Sequence, residues 1–174
     1  MSNYKYHILI CGGTGCHASE SAKIKTNFET ILAEKDLAND VQVIGTGCFG
    51  FCEKGPIVKI LPDNTFYVQV KPENVEEIIN EHIIKGRKVE RLLYVDPKTQ
   101  QHKEDSKHMG FYKKQMRIAL RNCGFINPED INEYIARDGY EALASVLERN
   151  DPEGTIEDIK KSGLRGRGGA GFPT

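Results

Sequence analysis

The sequence predicts an α/β domain, followed by a linker and a small, mostly helical segment that ends in a glycine-rich loop. Three observations carry this reading. Short apolar, β-branched runs alternate with stretches of helical period, two glycine-rich cysteine loops each follow such a run directly, and the composition turns polar after Val95.

The first strand is Tyr6 to Ile10, where His-Ile-Leu-Ile combines apolar and β-branched residues. The loop Cys11-Gly12-Gly13-Thr14-Gly15-Cys16 follows at once. A helix fits Ser19 to Glu34, because Ile24, Phe28, Ile31 and Leu32 recur at helical spacing against a polar opposite face. Val41 to Ile44 is the second strand, and a second loop carries Gly47, Cys48, Gly50 and Cys52 before Gly55-Pro56. Ile57 to Leu61 and Thr65 to Val70 form a hairpin around Pro62-Asp63-Asn64, a turn-favouring trio. Pro72 suits a first helical position, glutamates 73, 76 and 77 complement the positive helix end, and Val75, Ile78, Ile79 and Ile83 form one stripe closed by Lys85-Gly86. Residues 1–92 thus read as one unit of βαβββα order.

Residues 93–110 read as a flexible polar linker, since Asp96 to His108 has no aliphatic residue and no periodicity. The remainder, 111–174, is less regular. Met116 to Leu120 fits a strand or a helical turn, Asn127-Pro128 opens a helix through Ala136, and Tyr140 to Leu147 reads as a second helix. A last helix spans Thr155 to Lys161, with Thr155 and Asp158 in capping-box spacing and Gly163 as a left-handed stop.

The 174 residues carry 24 lysines and arginines against 25 aspartates and glutamates, so no overall field draws the chain to nucleic acid or an anionic membrane. Apolar runs such as Ile57 to Leu61 fall far short of the ~20 residues that span a bilayer, and the charged start around Lys5 is unlike a signal peptide. A cytoplasmic protein without membrane insertion is expected. There thiols stay reduced, so a cysteine array binds metal or does redox work more readily than it forms disulfides.

Four thiolates in two separated pairs suit tetrahedral zinc or an all-cysteine iron–sulfur cluster. Structural zinc favours C-x2-C knuckles, whereas these gaps are C-x4-C and C-x3-C with a helix and a strand between them. The run of C-x2-C repeats that marks a four-iron ferredoxin is absent from the sequence, and dithiol exchange normally uses C-x-x-C at the start of a helix. A [2Fe–2S] cluster fits best, with Cys11 and Cys16 on one iron and Cys48 and Cys52 on the other. The alternative is a non-catalytic assembly or docking module stabilised by zinc.

Cys-Gly-Gly-Thr-Gly-Cys and Gly-Thr-Gly-Cys-Phe-Gly-Phe-Cys-Glu-Lys-Gly-Pro resemble the thioredoxin-like [2Fe–2S] ferredoxins. That resemblance covers about residues 5 to 92. It implies a thioredoxin-like fold used for electron transfer without dithiol activity, and its four ligands map onto Cys11, Cys16, Cys48 and Cys52.

The chain closes on Gly163-Leu-Arg165-Gly166-Arg167-Gly168-Gly169-Ala170-Gly171-Phe172-Pro173-Thr174. Small residues after a helix offer consecutive N–H groups to an anion and the arginines add charge, so a nucleotide or flavin phosphate suits it, while a disordered tail has the same composition. It is neither a P-loop nor a G-x-G-x-x-G after a strand. With Asn122-Cys123-Gly124 and Glu133-Tyr134-Ile135, the string resembles the flavin-carrying, NADH-oxidising subunit of respiratory complex I. A ferredoxin domain fused in front of it is similar to the β subunit of multimeric, often electron-bifurcating [FeFe]-hydrogenases, or the matching subunit of NAD-dependent formate dehydrogenases. The resemblance implies FMN and NAD as cofactors of the full subunit, with residues 166–174 at the flavin and other iron–sulfur or catalytic subunits as partners. That family continues for several hundred residues, so this stretch alone is not expected to oxidise NADH.

Cys123 stands apart and reads as a small buried hydrophobe. His17 reads as a solvated loop histidine, His102 and His108 as linker residues. Phe49 and Phe51 flank Gly50 between two candidate ligands, where they either shield the site from water or serve general packing.

Overall fold

The computed structural model describes residues 4–174; the first three residues of the expected 1–92 domain lie outside the described residues. The chain divides into two units, residues 1–130 and 131–174.

In the first unit, strand β1 (Tyr6–Cys11) leads through a short helix α1 (Thr14–Ala18) into α2 (Ser21–Glu34) and strand β2 (Val41–Thr46). Strands β3 (Val58–Leu61) and β4 (Thr65–Tyr67) form the hairpin, and α3 (Val75–Ile78) continues into a wider π-type turn at Ile79–Ile84. The expected βαβββα order is therefore present, with α1 as an added turn. The sheet order is β2-β1-β3-β4, with β1 parallel to β2 and antiparallel to β3. β1 is central, which is why Ile8, Leu9 and Ile10 are all buried instead of alternating. On one face Ile8, Ile10, Val58 and Ile60 meet Ile24, Phe28 and Leu32 of α2 and Val75 and Ile78 of α3. On the other face Leu9, Ile44, Ile57 and Phe66 pack with Phe49, Phe51, Tyr94 and Met109.

The segment expected to be a flexible linker is instead folded against this second face and its edge. Strands β5 (Tyr94–Val95) and β6 (His102–Lys103) pair with each other, and the Phe66 N–H donates to Glu104 O at 2.7 Å and the Val68 N–H to Leu92 O at 2.9 Å. The physical reason is the open edge of β4, whose backbone groups need partners that any sequence can supply through its own main chain. Polar side chains facing solvent therefore disguise an ordered segment. Met109 is fully buried, and a short helix α4 (Gly110–Lys113) follows it. Met116 to Leu120 is neither strand nor helix but exposed turn, with Met116 88% and Ile118 75% accessible. The unit boundary consequently falls after Asp130, twenty residues beyond the expected linker's end at 110.

The second unit holds α5 (Ile131–Ile135), α6 (Glu141–Arg149) and α7 (Pro152–Lys161). α7 begins earlier than the Thr155 reading because the Asp151 carboxylate accepts from the Gly154 N–H at 2.9 Å and caps the helix. Arg149 joins the last two helices through Asp158 at 2.7 Å and Thr155 at 2.8 Å. Gly163 is left-handed, as the sequence suggests. Among the described residues no helix is long and apolar enough to cross a membrane.

A partly buried relay fixes the hairpin to the end of α3: Tyr67 Oη lies 2.9 Å from His82 Nδ1, and His82 Nε2 lies 3.0 Å from Asp63 Oδ2. Burial alone would raise the Asp63 carboxyl, but hydrogen bonds from His82 and Thr65 outweigh it and bring its pKa down to about 2. A depressed folded pKa gives stability that is full above the ordinary carboxylate range and lost as pH falls through the folded value. In chemical denaturation the wild type should exceed Asp63→Asn by about 1–2 kcal/mol near neutral pH, allowing for part exposure, and the gap should close between about pH 4 and pH 2. A gap constant across that window would contradict the relay's role.

Candidate metal centre

The parallel register sets Cys11 opposite Thr46, so the loops after β1 and β2 leave the sheet side by side. Cys11 and Cys16 are buried, Cys48 is half-buried and Cys52 is exposed. Glycines show how closely their sulfurs gather. A Cβ at Gly13 would stand 2.9 Å from Cys48 Sγ and 3.6 Å from Cys11 Sγ, so the two loops present sulfur to one point. A Cβ at Gly55 would stand 2.6 Å from Cys16 Sγ, and one at Gly15 would stand 3.7 Å from Cys52 Cβ. At Gly13 and Gly55 the backbone lies so close to these sulfurs that glycine alone fits without a shift, whereas Gly15 stands at ordinary contact distance from Cys52.

At this site the thiols act in pairs. Burial, then the hydrogen-bonded and charged neighbour Cys11, push the Cys16 thiol up to about 12. The charge of Cys48 and a hydrogen bond with it raise Cys52, with a smaller contribution from burial. A thiol held above its ordinary range gives up its proton when it binds a metal cation, so metal binding at Cys16 and Cys52 would be coupled to proton release. Among the described residues no three His, Cys, Asp or Glu side chains close on one point as ligands of a single ion.

Of the loop glycines the sequence singles out, Gly50 uses its conformational freedom: at φ +78 its N–H donates to Cys48 Sγ at 3.2 Å. Phe49 and Phe51 are both buried. Phe49 meets Phe66 edge-on with centroids 5.4 Å apart, and Phe51 stacks on Phe111 at 4.4 Å. Both rings thus belong to the core on the second face of the sheet, which is the packing reading of the sequence. His17, His102 and His108 are exposed.

Apart from Lys59, a lysine within the apolar run Ile57 to Leu61, the sequence gives no sign of the residues that hold the second loop from outside. Tyr112 Oη donates to Phe49 O at 3.0 Å and Arg117 Nη2 to Cys48 O at 3.3 Å. The Gly124 N–H donates to Thr46 Oγ1 at 2.9 Å, while the buried Lys59 amine donates to Gly124 O at 3.0 Å and lies 3.9 Å above the Phe125 ring. Burial pushes the Tyr112 phenol above the tyrosine range, against the pull of Arg117 and with the support of Cys11, Cys48 and Cys16. Cys123 is half-buried beside this loop, its sulfur 2.7 Å from where a Gly47 Cβ would sit.

In the second unit the glycine-rich loop closes on itself. Arg165 pairs with Pro173, the Gly166 N–H donates to Phe172 O at 2.7 Å, the Gly171 N–H donates to Gly168 O at 3.2 Å, and Arg165 Nε donates to Gly171 O at 2.8 Å. Thr174 Oγ1 reaches Leu164 O. Of the N–H groups expected to face an anion, those of Gly166 and Gly171 are thus used inside the loop.

The thioredoxin-like [2Fe-2S] ferredoxin family matches residues 2–82. A 2Fe-2S ferredoxin of Clostridium pasteurianum is 38% identical over 100 residues, covering 53% of this chain and 98% of that protein. The chain belongs to the thioredoxin-like [2Fe-2S] ferredoxin family. This ferredoxin chain is also 64% identical over 62 residues to the NADP-reducing hydrogenase subunit HndC of Solidesulfovibrio fructosivorans, covering 36% of the chain but 12% of that protein. An NADH-quinone oxidoreductase subunit of Aquifex aeolicus is 54% identical over 44 residues, covering 25% of the chain and 10% of that protein.

The glycine-lined space carries a direct test. Gly55→Ala should lower the iron retained per purified chain about threefold or more, whereas Gly168→Ala, with open space around it, should leave it unchanged. Equal iron contents would show that the cysteine pocket tolerates the added methyl.

Proposed function

We propose that Cys11, Cys16, Cys48 and Cys52 hold one [2Fe–2S] cluster, Cys11 and Cys16 on one iron and Cys48 and Cys52 on the other. The chain then relays single electrons within a larger NAD(P)H-linked oxidoreductase. The observation that carries the reading is the meeting of sulfurs from both loops at Gly13. A bound [2Fe–2S] group supplies one-electron transfer. Around it Phe49 and Phe51 exclude water, the Gly50 N–H supports the Cys48 sulfur, and the exposed Cys52 marks the edge nearest solvent and partners. The likeness of separate stretches to an NADP-reducing hydrogenase and to an NADH-quinone oxidoreductase supports a place beside a flavin reduced by NADH or NADPH.

In the same reading, residues 166–174 open the flavin site of the full subunit, with Arg167, Gly168, Gly169 and Ala170 at the outer turn of the closed loop. The partners are then the other iron–sulfur and catalytic subunits of such a complex.

Visible absorption and EPR of anaerobically purified protein test the ligand set. Cys48→Ala should abolish or bleach the cluster spectrum, while Cys123→Ala should leave it unchanged. A colourless, zinc-containing wild type, or a spectrum lost in Cys123→Ala, would overturn the assignment.

A further inference from the structure

The family match ends at residue 82, yet the most specific contacts on the second cysteine loop come from residues 112–124. Three points are held, two on the loop and one at the strand end that leads into it. Thr46, Cys48 and Phe49 each take a hydrogen bond from this later segment, through Gly124, Arg117 and Tyr112 respectively. Packing locks the same attachment: a Cβ at Gly124 would sit 2.2 Å from Phe49 Cε1, so the backbone there lies directly against the ring. Lys59, buried in the centre of the sheet, secures Gly124 from below.

Arg117 differs from the other contacts because it brings charge. Its Nη2 is 3.3 Å from the carbonyl oxygen of Cys48, which by covalent geometry puts it no more than about 8 Å from that residue's sulfur. Arg117 is half-buried and lines a cavity of about 250 Å³ with Phe49, Tyr112, Cys123 and Phe125, so its charge is incompletely screened by water. A guanidinium carries a fixed positive charge. One-electron reduction adds one negative charge to a cluster, and a nearby fixed cation favours that state.

We propose that residues 109–125 form a redox-tuning brace on the second cysteine loop, in which Arg117 is the positioning residue that holds the Cys48 carbonyl and favours the reduced cluster. The brace rests on the four-cysteine ligand reading. Tyr112 supplies its uncharged half by fixing Phe49, and the buried anchor is Lys59. The property being tuned is the equilibrium between oxidised and reduced cluster, so the segment after the ferredoxin domain adjusts the electron's energy as well as connecting to the next unit.

The experiment is an EPR-monitored redox titration of the cluster-loaded full chain. Arg117→Gln keeps a hydrogen-bond donor and removes the charge, whereas Arg117→Lys keeps the charge. The equilibrium constant for reduction should fall about three- to tenfold in Arg117→Gln, tenfold being 59 mV for a one-electron couple, and should return to within about twofold of wild type in Arg117→Lys. Equal values in all three proteins, or equal losses in both variants, would overturn the charge role. Tyr112→Phe leaves every ring in place and keeps the brace testable if Arg117→Gln does not fold. Hydrogen exchange at the Gly50 amide should quicken about threefold or more in Tyr112→Phe, and an unchanged rate would overturn the brace. A wild type without any cluster signal would sink the ligand reading itself, whereas a normal cluster with a charge-insensitive potential sinks only the brace.

Discussion

Because Cys11 lies opposite Thr46 in the parallel ladder of β1 and β2, the two cysteine loops leave the sheet at the same edge, and every feature of the site follows from that register. Parallel pairing needs a crossover, which α2 supplies by burying Ile24, Phe28 and Leu32 against the sheet. A slip of one residue in β2 would turn Ile44 from the core face and carry Cys48 away from Gly13. The hydrophobic pattern of two strands thus sets the position of sulfurs thirty-odd residues apart.

Once gathered, Cys16 and Cys52 are poorly placed to be charged on their own. Cys16 is buried beside Cys11, and Cys52 faces Cys48, so each pair resists double ionisation. Burial stabilises the fold yet disfavours thiolates, a conflict that the proposed metal group would resolve. Glycine is what leaves room for it, since side chains at Gly13 or Gly55 would occupy the space next to the sulfurs. The same region is closed from outside by Phe49, Phe51 and Tyr112, which join the second core to the site.

Much of this is legible in the sequence. The strands at Tyr6 and Val41, the α2 stripe and the four cysteines carry local signals: β-branched runs, helical period and glycine-cysteine spacing. What could not be read was contact made by main chain. Residues 92–105 close the edge of β4 through backbone N–H and C=O groups, so Phe66 and Val68 find partners that leave no mark in side-chain chemistry. Likewise Tyr112 and Arg117 touch carbonyls of the cysteine loop, an arrangement that no spacing rule encodes. Lys59 sits in an apolar hairpin strand, but the partner that satisfies it, Gly124 O, comes from 65 residues away and no local spacing shows it.

The central claim is that four cysteines from two loops share one [2Fe–2S] group. Iron, acid-labile sulfide and spin quantitation on the same anaerobic sample of the wild-type chain address it most directly. The account predicts about two irons and two sulfides per chain, with about one unpaired spin after reduction by one electron. Stoichiometric zinc with neither sulfide nor spin would contradict it.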